Sequence, residues 1–167
     1  DIIATLCKYT QTEKDRSKNE KVMIVSGDKD FIQLQRYSNV DQYSPITKKY
    51  INGHDPITYI KEHILKGDTS DGVPNVLSPD HTFTEGLRQR PLSRKKIDTW
   101  IDIDMEDMTD EVKRNYQRNE KLISLDKIPE ELEDDILREF AGAPHGDRSK
   151  LLNYFIQTRL KSLTETI

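Results

Sequence analysis

The sequence predicts an α/β domain whose small sheet comes first and leads into a predominantly helical second half. Three observations carry this reading. Val22-Met23-Ile24-Val25 is a short β-branched run ending at a Ser26-Gly27 turn. Val40 to Pro45 alternates apolar and polar residues with the period of a strand. From about residue 110 onward, apolar residues recur at spacings of three and four, as on helix faces.

Taken in order, residues 1 to 10 read as a helix with Ile2, Ile3, Leu6 and Tyr9 or Thr10 inward. The chain opens on Asp1 in what reads as mid-element, as a fragment of a longer protein would. The polar run Gln11 to Glu20 forms a loop into the first strand, which the apolar run predicts to be buried on both faces. Phe31, Leu34 and Tyr37, three apart, place an apolar stripe behind a helix that follows. Val40-Asp41-Gln42-Tyr43-Ser44-Pro45 is a second strand and Lys48-Lys49-Tyr50-Ile51 a third, with Pro45 at an edge or a strand end. Asp55-Pro56 opens a helix as an N-cap acid followed by proline, and Ile57, Ile60, Ile64 and Leu65 form its stripe until Gly67 stops it.

The character changes at about residue 77, which divides a metal-binding part, 1–76, from a helical part, 77–167. Residues 77 to 96 hold Arg88, Arg90, Arg94, Lys95 and Lys96 in weakly patterned chain. Helices are expected at about Asp110 to Leu125, at Pro129 to Ala141 and at Asp147 to Thr164, the last with Leu152, Ile156, Leu160 and Leu163 on one face.

The 167 residues suffice for one domain with a sizeable core, perhaps with a lobe attached. Thirty acids against 26 bases, a formal charge of -4, argue against a uniformly basic nucleic-acid binder, though clustered bases weigh more than the total. The single cysteine, Cys7, excludes an internal disulfide. No apolar run of membrane-spanning length and no signal peptide is visible, so a soluble, cytoplasmic protein is expected.

The chemistry lies in two carboxylate pairs. Asp28 and Asp30 follow the first strand at its carboxyl end, where open α/β sheets bind ligands, and Asp68 and Asp71 follow the helix that ends at Gly67. Four hard oxygen donors of this kind suit Mg2+ or Mn2+. Two such ions about 3.5–4 Å apart can activate water and stabilise the leaving oxygen of a phosphodiester. An isolated Asp-x-Asp is more often a solvated turn or a helix cap. Two pairs at the ends of apolar elements shift the balance toward a metal site. His54, His63, His81 and His145 show no ligand spacing, and Trp100 reads as core.

Ser26-Gly27-Asp28-Lys29-Asp30-Phe31-Ile32-Gln33-Leu34 resembles the second acidic motif of the flap-endonuclease, or 5'-nuclease, family. Gly67-Asp68-Thr69-Ser70-Asp71-Gly72-Val73-Pro74-Asn75-Val76 resembles the third. Tyr43-Ser44-Pro45, Ile64 to Asp68 and Asn119 to Pro129 are most similar to the T-even phage ribonuclease H branch, and the likeness runs over nearly the whole chain.

The resemblance implies a PIN-like three-layer sheet leading into a helical, DNA-binding lobe. It also implies a two-ion Mg2+ or Mn2+ site with Asp28, Asp30, Asp68 and Asp71 as carboxylates around it. Asp1 matches a helix acid of the family better than a ligand, and further ligands would precede it. The activity implied is 5'-to-3' exonuclease and flap cleavage, with ribonuclease H action on RNA-DNA hybrids, removing RNA primers and adjoining DNA of the lagging strand in a phage-infected or bacterial cell. A replicative single-strand-binding protein or sliding clamp is an implied partner, and a monomer is expected. The family's Gly-x-Gly-x-Lys turn, often holding K+, is replaced by Leu77-Ser78-Pro79-Asp80-His81. Arg88, Arg90, Arg94, Lys95 and Lys96 either take over its phosphate contacts or form a solvated loop. A haloacid-dehalogenase-like phosphatase and a non-catalytic DNA-binding lobe are the alternatives. Four carboxylates alone lead us to expect one weakly held ion and slow cleavage by this chain.

Overall fold

The computed structural model describes residues 1–11, 20–53, 55–103, 105–143 and 150–160. It is mixed α/β, with a three-stranded sheet in the order β1-β2-β3. Strand β1 (Val22–Val25) runs parallel to β2 (Val40–Ser44), with Val22 opposite Val40 and Val25 opposite Tyr43. The short β3 (Lys49–Tyr50) pairs antiparallel with β2, and Pro45 falls just past the end of β2. Six α-helices are described: α1 (Ile2–Tyr9), α2 (Pro56–Lys66), α3 (Arg94–Trp100), α4 (Asp110–Ile123), α5 (Glu130–Gly142) and α6 (Leu151–Gln157). None of the described helices is long and apolar enough to cross a membrane.

The chain divides into two compact units, Asp1–Ile136 and Leu137–Ile167. In the second, the Tyr154 and Phe155 rings lie 6.1 Å apart and Leu152, Ile156 and Leu160 are exposed. The helix expected from Asp147 begins at Leu151, while Asp147, Leu163 and Thr164 lie outside the described residues.

The first unit carries the sheet and three apolar clusters. Ala4, Cys7, Ile24, Leu34 and Val40 join α1 to the sheet; Leu65, Val76, Ile97 and Val112 join α2 to α3 and α4; Ile64, Val73 and Ile123 lie beside them. Helix α1 turns a different face inward from the one its large residues suggest. Ala4, Thr5 and Cys7 are buried, whereas Ile2, Ile3 and Tyr9 are exposed, because small side chains let the helix approach the sheet closely. Strand β1 buries only Ile24. Its outer edge has no partner strand among the described residues, so Met23 and Val25 remain exposed, Val25 at 64%.

The segment after the first carboxylate turn is a 3-10 helix, Lys29–Arg36, not an α-helix. Its three-residue repeat is the very spacing seen for Phe31, Leu34 and Tyr37. Helix α2 starts as expected: the Asp55 carboxylate accepts the Thr58 N–H at 2.7 Å, and Pro56 fills the first position. Ile64 and Leu65 are buried, but Ile57, on the outer side of the first turn, is 60% exposed.

A long-range clamp ties the 3-10 helix to the end of α4. The buried Gln33 amide donates to the Ile123 carbonyl and accepts the Leu125 N–H, and three residues on Arg36 grips Asp126 with both terminal nitrogens. These hydrogen bonds hold the Asp126 carboxyl below its ordinary range. A depressed carboxylate stabilises the fold above its unfolded pKa and loses that contribution as pH falls through the folded value. Asp126→Asn is therefore expected to lower Tm by about 1–4 °C above pH 5, the discounted value of a partly exposed bidentate pair, and to match the parent near pH 2. Melting curves of the two proteins between pH 2 and 7 test this, and a gap that persisted at pH 2 would count against it.

Candidate metal centre

The cleft is made where the carboxyl end of β1 meets the end of α2. Ser26 Oγ accepts the Asp28 N–H at 3.1 Å, and the Asp28 carboxylate accepts the Asp30 N–H at 3.0 Å, so Asp28 caps the 3-10 helix that carries Asp30. From the neighbouring strand, the fully buried Gln42 amide donates to the carbonyls of Ser26 and Asp28, the former at 3.0 Å. An inward-facing glutamine on β2 thus fastens the first carboxylate turn to the sheet.

The second pair is set by a tight turn. Gly67 ends α2 with φ +68° and ψ -177°, a conformation reserved in practice for glycine. Asp68 then pairs with Val73, whose N–H donates to the Asp68 carbonyl at 2.7 Å. Asp68 Oδ1 accepts the N–H of Ser70 at 2.8 Å, that of Asp71 at 3.3 Å and the Ser70 hydroxyl. The Ser70 hydroxyl leads these bonds in holding the Asp68 carboxyl below its usual value, against the opposing effect of burial.

Beyond the turn, Pro74, Asn75 and Val76 are buried, and α4 satisfies their carbonyls from its polar side. Asn119 donates to the carbonyls of Ile64 and Pro74 at 2.8 and 2.9 Å, Asn115 to that of Val76 at 3.0 Å, and Arg118 to that of Pro74 at 2.9 Å. Val112, Asn115, Asn119 and Ile123, spaced 3, 4 and 4, form the buried face of α4. That spacing was visible in the sequence; the asparagines hid it by being polar.

Asp28, Asp30, Asp68 and Asp71 all line one cleft of about 400 Å3, together with Lys29, Tyr59, His63 and Ser70. Burial, followed by the charge of Asp28, raises the Asp30 carboxyl above its ordinary range, with His63 acting in the opposite direction. The Tyr59 phenol is raised as well, by burial and then by the nearby charge of Asp30. Both hydrogen-bonding roles weighed for single pairs are present, since Asp28 caps a helix and Asp68 closes a turn. The four carboxylates nonetheless face common space, an arrangement that gathers negative charge where a divalent cation would relieve it.

His63 is the residue that sequence reasoning missed. Its Nδ1 lies 3.7 Å from Asp30 Oδ1 and its Nε2 3.3 Å from Asp68 Oδ2, so the imidazole stands between the two pairs. Asp30, His63 and Asp68 form a set close enough to hold a metal ion. The one available signal was position: Tyr59 and His63, four apart, share the face of α2 that leads into Gly67-Asp68. His54 and His145 lie outside the described residues, and His81 is exposed beside Glu85.

The basic residues are partly engaged. Arg90 pairs with Glu111 at 3.0 Å, Arg94 with Glu62 at 2.6 Å and Asp98 at 2.8 Å, and Lys96 Nζ lies 4.5 Å from the centre of the Trp100 ring. Arg88 and Lys95 are exposed. Arg94, Lys95 and Lys96 belong to α3, capped by Ser93, rather than to irregular chain.

The model of a family described as T4 RNase H, C terminal, matches residues 55–167. Over 177 aligned residues, the chain is 34% identical to a protein named Ribonuclease H from Enterobacteria phage T4. The alignment covers 100% of this chain and 56% of that protein, so the chain spans a little over half of the relative's length.

Proposed function

From the premise that this chain belongs to the T4 RNase H family through its C-terminal region, we propose that it is part of a metal-dependent 5'-to-3' nuclease acting on 5'-flap DNA and RNA-DNA hybrids. The observation that carries this reading is the convergence of Asp28, Asp30, Asp68 and Asp71 on one cleft, although the pairs are about 40 residues apart. Their donor set fits Mg2+ or Mn2+, whose preference is for carboxylate oxygen. When bound, one or two such ions supply a nucleophilic hydroxide and charge stabilisation for phosphodiester cleavage.

The chain's own residues do the rest. Asp30, whose carboxyl is raised by burial and by its acidic neighbours, gains most from a cation and anchors the centre. Asp28 and Asp68 each have an oxygen that accepts local N–H donors, which fixes the carboxylate before any ion arrives. Lys29, exposed on the rim, is placed to meet a substrate phosphate. Arg88 and Lys95 extend the cationic surface, and Arg90, Arg94 and Lys96 join it by exchanging their present partners for phosphates. The substrates proposed are primer RNA and adjoining DNA on the lagging strand, in the cytoplasm of a phage-infected or bacterial cell. A PIN-like layering of the sheet, a single-strand-binding protein or clamp as partner and a monomeric state belong to the same reading.

Incubating the protein with end-labelled 5'-flap DNA, an RNA-DNA hybrid and a small phosphomonoester, each with Mg2+, Mn2+ or EDTA, tests the proposal. The expected result is release of 5'-terminal products only with metal. Turnover of the phosphomonoester with the nucleic acids intact would overturn the proposal in favour of a phosphatase, and duplex binding without cleavage in favour of a binding lobe.

A further inference from the structure

Within the cleft, His63 differs from every other donor because it offers nitrogen. Its Nε2 sits 3.3 Å from Asp68 Oδ2, and an ionised carboxylate can only accept, so the proton of the neutral ring lies on Nε2. Nδ1 is then left with a bare lone pair. That atom is sealed from solvent, has no hydrogen-bond partner, and faces Asp30 Oδ1 across 3.7 Å. Two electron pairs pointed at one another across such a gap lack a cation between them, and two metal bonds of about 2.1 Å would span it. The ring is also held in advance. It belongs to the last turn of α2, packs edge-on against Tyr59 with centroids 5.8 Å apart, and is oriented by Asp68 in the way carboxylates orient ligating histidines.

We infer that His63 Nδ1 ligates the divalent ion together with Asp30, and that this nitrogen makes the centre select Mn2+ over Mg2+. Mg2+ takes oxygen ligands in a strict octahedron, whereas ions further along the transition series accept imidazole readily. A site of carboxylates alone would lack this source of discrimination. The inference rests on the proposed metal centre and adds a ligand and a preference to it.

The test is a spin-echo modulation spectrum of the 167-residue chain loaded with Mn2+, with Mn2+ and Mg2+ affinities measured by titration calorimetry on the parent, His63→Asn and His63→Gln. The parent should show 14N modulation from the imidazole. Both variants should lose that modulation and bind Mn2+ about tenfold more weakly, while Mg2+ affinity changes less than about threefold. Mn2+ bound without 14N modulation, or modulation that persists in both variants, would overturn the nitrogen ligand and leave the carboxylate centre standing. Failure of the parent to bind either ion at millimolar concentration would overturn both readings.

Discussion

Gly67→Ala is expected to destabilise the protein by about 3–6 kcal/mol, lowering Tm by roughly 6–20 °C. Two costs combine. The backbone at φ +68° and ψ -177° belongs to a region that side-chain-bearing residues rarely adopt. A Cβ at this position would also lie 2.4 Å from the Val73 carbonyl oxygen and 2.6 Å from Pro74 C and O, all backbone atoms with no rotamer to escape through. Relief requires parting the Asp68–Val73 bridge, so metal affinity should fall together with stability. Gly72→Ala is the matched control: it has a similar positive φ of +74° but open space around the added atom, and should cost only about 1 kcal/mol. Thermal melts followed by circular dichroism decide the matter. A Gly67→Ala protein melting within 2 °C of its parent would show that the close approach does not exist.

Asp30→Asn is expected to pull stability and activity in opposite directions. Burial and the charge of Asp28 lead the effects that raise the folded pKa of Asp30. For a carboxyl raised on folding, the favourable contribution is present below the unfolded pKa near 3.9 and is lost as pH rises through the folded value. At neutral pH, without metal, the ionised group is therefore a net cost. Asn removes it and should raise Tm by about 1–3 °C at pH 7, with the gain vanishing below about pH 4. Cleavage of flap or hybrid substrates should fall at least ~100-fold, since losing a ligand exceeds the 10–100-fold cost of losing a group that merely supports one. Added Mn2+ should stabilise the parent more than the variant. Equal stabilisation of both, or undiminished cleavage, would remove Asp30 from the centre.

The carboxylates could be read from the sequence because each pair is local: a strand or helix end, a glycine and two acids lie within five residues, and a turn fixes their geometry. His63 could not be read in this way. Its significance depends on Asp30, 33 residues earlier, and no linear spacing reports that the carboxyl end of β1 abuts the last turn of α2. Secondary structure was legible where chemistry was explicit, as at Asp55-Pro56. It failed where size was taken for direction, as in α1, whose buried face is Ala4, Thr5 and Cys7 rather than the isoleucines. The β-branched run of β1 identified a strand but not its place at the sheet's edge among the described residues, which depends on what packs beside it. For the 3-10 helix, the three-residue spacing was correctly seen and assigned to the wrong helix type.

The clamp of Gln33 and Arg36 on the end of α4 has a kinetic side. Gln33 to Ile123 and Arg36 to Asp126 each join residues 90 positions apart. Contacts of such high sequence separation must meet the entropy of closing a long loop before they return any stabilisation, so they tend to form late. The β1 turn and the α2 cap can organise locally, each presenting its own acids, before the clamp locks the 3-10 helix. The Leu125 amide, whose partner is Gln33, is then a natural hydrogen-exchange reporter of when the two halves of the cleft become one.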